Sequence, residues 1–179
     1  MNWYLTAVKA HPIFMAMIQF AILGTLGEFI SKWIIAKKIF MPFTPLITLW
    51  KMIEWAFLAV LIKAVFVGFA DNGFVHALMN HAPAFLPKAE PGSFLFAFFV
   101  SATMNIQFGL TLVIGHRVLD NLPLKQKNWK GLDKGMLSLL WFWIPAHTVT
   151  FMLPVDYRIG LAALWSVVLG LILGSFNRK

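Results

Sequence analysis

Six ionisable side chains stand inside otherwise apolar stretches of this chain: Glu28, Lys32, Lys51, Glu54, Lys63 and His147. A charge at the centre of a membrane segment costs about 2.5–3.5 kcal/mol on insertion scales, so each needs a partner, a route to the surface or water. A spacing of four puts Glu28 and Lys32 on one helix face, and a spacing of three does the same for Lys51 and Glu54. Read as chemistry, Glu28, Glu54, Lys63 and His147 suggest a polar pathway, acidic in one half of the membrane and basic in the other. Read as architecture, the glutamates pair with Lys32 and Lys51, whose heads reach the nearer interface. Lys63 has no acid within four residues on its own segment. Ser101, Thr103, Asn105 and Gln107 add neutral polar groups that either line a wet cavity or bond between helices.

Enzymatic chemistry finds little footing. His11, His76, His81 and His116 read as loop or helix-end residues, and no His-x-x-x-His pair is present for a metal. A haem held by two histidines would need a partner for His147 at its own depth, with His76 or His81 as the candidates. The chain has no cysteine, which excludes disulfides and thiol catalysis. No glycine-rich phosphate loop or nucleophile elbow occurs. The expectation is a protein that is not an enzyme, with no catalytic residues, no metal and no cofactor.

The elements that carry these residues follow from composition. Of 179 residues, 60% are hydrophobic and 12% charged, against about 25% charged in a soluble domain. Such a chain cannot cover itself with a polar shell. It reads as one integral membrane domain, 1–179, of the all-α class, a polytopic helical bundle in a lipid bilayer. About 20 apolar residues span the hydrocarbon, and five segments qualify: roughly 12–36, 46–70, 93–115, 135–153 and 159–176. Four crossings is the alternative, with the last segment lying in the interface. Asp71-Asn72-Gly73 marks a turn, 74–92 a loop with Pro83, Pro87 and Pro91 and room for a short surface helix, and His116 to Lys134 a basic loop. Pro145 should bend the fourth helix, and 154–158 reads as a short turn.

Loop charge orients the bundle. With five crossings, one side holds Lys37, Lys38, Arg117, Lys125, Lys127, Lys130, Lys134, Arg178 and Lys179, and the other only Lys9, Lys88 and Arg158. Cytoplasmic loops are enriched in Lys and Arg, which predicts the N-terminus outside and the C-terminus inside. Trp33, Trp50, Trp129 and Trp141 fall near the same inner interface. The net charge of +8 thus reads as topology rather than nucleic-acid binding, because the basic residues lie between apolar stretches. Ala162, Ser166, Gly170 and Gly174 form a small residue at every fourth position, a packing stripe for the fold's interior or for a homodimer.

Several segments resemble the Mpv/PMP family of small peroxisomal and mitochondrial inner-membrane proteins. Gly24-Thr25-Leu26-Gly27-Glu28 and Ser31-Lys32 are similar to its Leu-Gly-Asp-x-x-Ser-Gln segment, with Glu for Asp and Lys for Gln. Asn128-Trp129, Trp143 and Pro145, Phe151, and Pro154 with Tyr157-Arg158 resemble its later signature, although Ile144 separates Trp from Pro and Thr150 stands where Asn is common. The resemblance covers the first helix and about 116–179. It implies a small helical membrane protein, often drawn with four crossings, that acts as a channel or metabolite conduit. The expectation is a channel-like or transporter-like protein for small polar or anionic solutes, with Glu28, Glu54, Lys63, Asn105 and His147 on the pathway. The alternative is an accessory subunit of a larger membrane complex. A bacterial inner membrane is the expected location, with a mitochondrial inner or peroxisomal membrane as the alternative.

Overall fold

The structure, a computed structural model, describes residues 2–71, 73–81 and 89–176. Pro83, Pro87, Lys88, Arg178 and Lys179 lie outside them. The fold is all-α. In chain order the helices are α1 (Asn2–Ala10), α2 (Pro12–Ala36), α3 (Pro45–Phe66), α4 (Phe74–Asn80), α5 (Phe94–Met104), α6 (Leu110–Asn121), α7 (Leu132–Ser138), α8 (Ile144–Met152) and α9 (Val155–Phe176). Three π-helical turns interrupt this order: Val67–Asp71 after α3, Asn105–Gly109 joining α5 to α6, and Leu139–Trp143 joining α7 to α8. Among the described residues five helical rods are long and apolar enough to cross a membrane.

Local sequence explains the ends. Proline at the first helical position, where no N–H is needed, starts α2 and α3. The Thr44 hydroxyl accepts from Ile47 N–H at 3.4 Å, and the Ser93 hydroxyl accepts from Phe96 N–H at 3.1 Å. Lys37 closes α2 in the left-handed region, at φ 56°. Helix α2 has the bounds predicted for the first apolar segment. Two expectations are corrected. The third rod, Phe94–Asn121, runs six residues past the expected end, because His116, Arg117 and Asp120 continue the helix rather than begin a loop. The last helix starts at Val155, so 155–158 is its first turn, entered through Pro154.

The bundle is apolar on its outer surface and carries charged side chains inside. On α3, Leu46, Leu49, Ile53, Phe57 and Leu61 are exposed, whereas Lys51 and Glu54 are buried. Exposed Ile13, Phe14, Ile18 and Ile22 repeat this on α2, and Ile106, Leu110, Ile114 and Val118 on the third rod. That pattern suits lipid as the surrounding solvent. α9 packs closely along α2. A Cβ on Gly27 would overlap the Ser166 carbonyl, and one on Gly170 would overlap the Gly27 backbone. Ala162 and Ser166 are buried in the same seam. Gly174 continues that stripe, but its surroundings fall outside the described residues. At the end away from the basic loops, Ala16, Val75, Phe96, Val100, Phe151 and Ile159 form a continuous apolar core.

Candidate functional site: a cavity entered from the basic end

A cavity of about 980 Å³ enters the bundle from the basic end. Its mouth is lined by Lys32, Pro42, Arg117, Gln126, Lys130 and Lys134. It passes Glu28, Lys51, His116 and Asp120, and reaches Phe66, Asn105, Trp143 and His147 at its far end. His147 lies five residues before the opposite end of α8, so the cavity penetrates most of the bundle at about 1.5 Å per residue. The apolar core around Val100 and Phe151 closes it beyond that point.

Three helices build an ionic cluster midway between the mouth and the bundle's middle. Lys51 on α3 holds its ammonium 2.9 Å from Glu28 Oε2 on α2 and 3.7 Å from Glu54 Oε2 on its own helix. It also pairs with Asp120 on α6. Among the described residues, ligating atoms of Glu28, His116 and Asp120 lie within 4.8 Å of one another, a spacing that suits a cation. Here the Lys51 ammonium is that cation. The expected link from Glu28 to Lys32 is therefore corrected: Glu28 pairs across helices, and Lys32 lines the mouth. Nor does Lys51 reach for the interface, since it is 7% exposed.

His116 occupies the centre of this cluster. Its Nε2 is 3.6 Å from Glu28 Oε1 and 3.6 Å from Glu54 Oε1, and its Nδ1 is 3.6 Å from Asp120 Oδ2. Arg117 Nη1 approaches the same Asp120 oxygen at 3.6 Å. Trp55 donates from Nε1 to Glu28 Oε1 at 2.8 Å and lays its ring 4.7 Å from the imidazole. Gly24 makes room for that indole, which a Cβ there would overlap. In the sequence His116 looks like loop charge, so spacing within the apolar segments does not single it out. The signal available was its spacing of four from Asp120, continuing the face of Leu112.

The far end is neutral. Asn105 Nδ2 donates to the Ser101 carbonyl at 2.8 Å, which fixes its amide orientation, and lies 3.2 Å from His147 Nδ1. A donor at Nδ1 makes that nitrogen the acceptor, so the imidazole proton sits on Nε2. The Trp143 ring lies 5.0 Å from His147, tilted by 32°, and Phe66 meets it edge-on at 5.5 Å. Both π turns that flank the cavity contribute here, through Asn105 and Trp143. Such turns replace regular helix pairing and recur at functional sites. The one across from Asn105 also precedes Pro145, whose missing N–H cannot continue the helical ladder.

Several other singled-out residues are not among those lining the cavity. Lys63 is one of them, half-buried on α3. Phe151 packs on Phe66 at 4.8 Å, and the Arg158 guanidinium lies 5.7 Å over the Phe151 ring. Arg158 Nε also donates to the Leu153 carbonyl at 2.9 Å, across Pro154. Trp129 is exposed beside Asn128, whose backbone N–H donates to Asn121 Oδ1 at 3.0 Å. Tyr157 is partly buried in the first turn of α9. His76 lies against Phe96 at 4.8 Å and His81 against its own helix's Ala77 carbonyl, so neither is placed as a ring partner of His147. No family model, curated protein or solved structure matches the chain.

Proposed function

We propose that this protein is a channel-like or transporter-like conduit for small polar solutes, with the cavity as its vestibule. One observation carries the reading: a space of about 980 Å³ runs from the basic loops to His147 and is lined by ionisable side chains within apolar helices. Buried charge of this kind is expensive in a bilayer and marks solute or ion pathways. The basic mouth, with Lys32, Arg117, Lys130 and Lys134, gathers anionic groups from solution by long-range attraction. The far end offers hydrogen bonding at Asn105 and His147 and flat aromatic surface at Trp143, a combination suited to polar organic solutes. The apolar core beyond it acts as the barrier of a state open on one side. By the distribution of Lys and Arg, that side is the cytoplasmic one.

The resemblance to the Mpv/PMP family supports the same reading through positions. Gly24 and Gly27 permit the close packing around Trp55 and α9, Glu28 belongs to the ionic cluster, and Trp143 flanks His147. The test is release of entrapped small solutes from liposomes carrying the purified protein. Release of polar metabolites of metabolite size, with larger sugars retained, is the expected result. Liposomes no leakier than protein-free controls would reject the conduit and leave an accessory subunit as the better account.

A further inference from the structure

We infer that His116, together with Glu54 behind it, forms a proton-binding site served by the water of the cavity, so that the proton is the ion this vestibule takes up. The inference rests on the conduit reading only in assuming that the cavity is wet. Among the described residues, the charged groups within 4 Å of one another here come from three helices: Glu28 on α2, Lys51 and Glu54 on α3, and His116, Arg117 and Asp120 on α6; Lys32, Lys130, Asp133 and Lys134 line the same cavity. Within the cluster itself three carboxylates face two permanent cations. With a neutral imidazole one negative charge is left uncompensated, inside a helical bundle where such a charge is strongly disfavoured.

One proton balances the cluster, and the geometry says where it goes. Lys51 already fills the position between Glu28 and Asp120. What remains open is the gap between His116 Nε2 and the Oε1 atoms of Glu28 and Glu54, 3.6 Å each. That is longer than an N–H···O hydrogen bond, and a charged imidazolium would close it. The second, independent sign is Glu54 itself. It is 2% exposed, and neither of its carboxylate oxygens has a hydrogen-bond donor. His116 Nε2 is likewise buried without one. A buried carboxylate and a buried ring nitrogen that face each other unbridged lack the hydrogen between them. His116 lines the cavity and Glu54 does not, so the proton arrives on the imidazole from cavity water and is shared with the carboxylate.

Trp55, 4.7 Å from the His116 ring, reports the event, because an imidazolium quenches a neighbouring indole and a neutral imidazole does so less. The experiment is a pH titration of tryptophan emission in the purified, detergent-solubilised protein. Quenching on acidification through a single transition is expected, absent in both His116→Gln and Trp55→Phe. Glu54→Gln removes one acid that holds the proton and should move the midpoint down by about one pH unit, a tenfold loss of proton affinity. Histidine nitrogen NMR of the unaltered protein follows the same imidazole without any substitution. No His116-dependent transition between about pH 5 and 9, or a midpoint indifferent to Glu54→Gln, overturns the inference. Neither readout needs solute flux, so a leak-tight protein that titrates as described would reject the conduit and keep the proton site. A conducting protein that does not titrate would do the reverse.

Discussion

The Lys51 ammonium stands 2.9 Å from the Glu28 carboxylate on the neighbouring helix, deep enough that its own side chain is 8% exposed. Breaking a buried ion pair by removing one partner costs about 3–5 kcal/mol, since the other charges stay behind uncompensated. Lys51→Met should approach the lower part of that range, because Glu28 and Asp120 retain some contact with the cavity. Thermal unfolding in detergent measures it. The double variant Lys51→Met/Glu28→Gln should recover part of the loss, and a double variant no better than the single one would show that the pair is not the source.

The seam between α2 and α9 makes a second prediction. Gly170→Ala places a methyl group on the Gly27 backbone, so the helices must separate. Overpacking of this kind costs about 1–3 kcal/mol, and Gly170→Leu should cost more. Gly115→Ala is the control, since nothing lies within 4 Å of the added Cβ. It should be neutral or slightly stabilising because alanine favours helix. Equal melting temperatures for the two alanine variants would refute the close approach.

How much of this was legible beforehand differs by element. Pro12 and the Lys37-Lys38 pair bracket α2 sharply, and its bounds agree with the expected ones. The third rod outruns its expected end because Arg117 and Asp120 look like loop charge in the sequence, although Asp120 turns inward to Lys51 and Arg117 pairs with Asp120. Which helices are neighbours does not follow from spacing within one helix. The same gap hid the Glu28 to Lys51 pairing, and the contact between Asn105 and His147, 42 residues apart. The small-residue stripe at Ala162, Ser166 and Gly170 was visible as a pattern, but its partner Gly27 was visible only as part of a motif.

Asn105 supports the third prediction. Asn105→Leu leaves the Ser101 carbonyl and His147 Nδ1 without their shared donor. An unsatisfied buried polar group costs about 1–3 kcal/mol. Stability should fall by that order, and solute release should slow even where the folded fraction is restored by lower temperature. Normal release from a destabilised Asn105→Leu protein would remove the far end of the cavity from the pathway.

Topology is tested by two single cysteines in a chain that has none of its own. Gln126→Cys in the basic loop and Ala77→Cys on α4 are both at exposed positions. An impermeant thiol probe added to intact cells should label Ala77→Cys and leave Gln126→Cys until the membrane is opened. Labelling of both from the same side would refute an odd number of crossings between them.

Whether the cavity is a wet path within the membrane is decided by neighbouring residues that differ in the face they present. Val113 lines the cavity, and Ile114, one residue on, is 41% exposed on the apolar outer surface. Both lie about 10–12 Å from the basic end of the third rod at 1.5 Å per residue. A small charged methanethiosulfonate needs water to reach and ionise a thiol. Applied from the basic side to proteoliposomes, it should modify Val113→Cys quickly, spare Ile114→Cys, and block solute release through the modified protein. Failure to modify Val113→Cys, or equal reaction at both positions, would contradict the conduit.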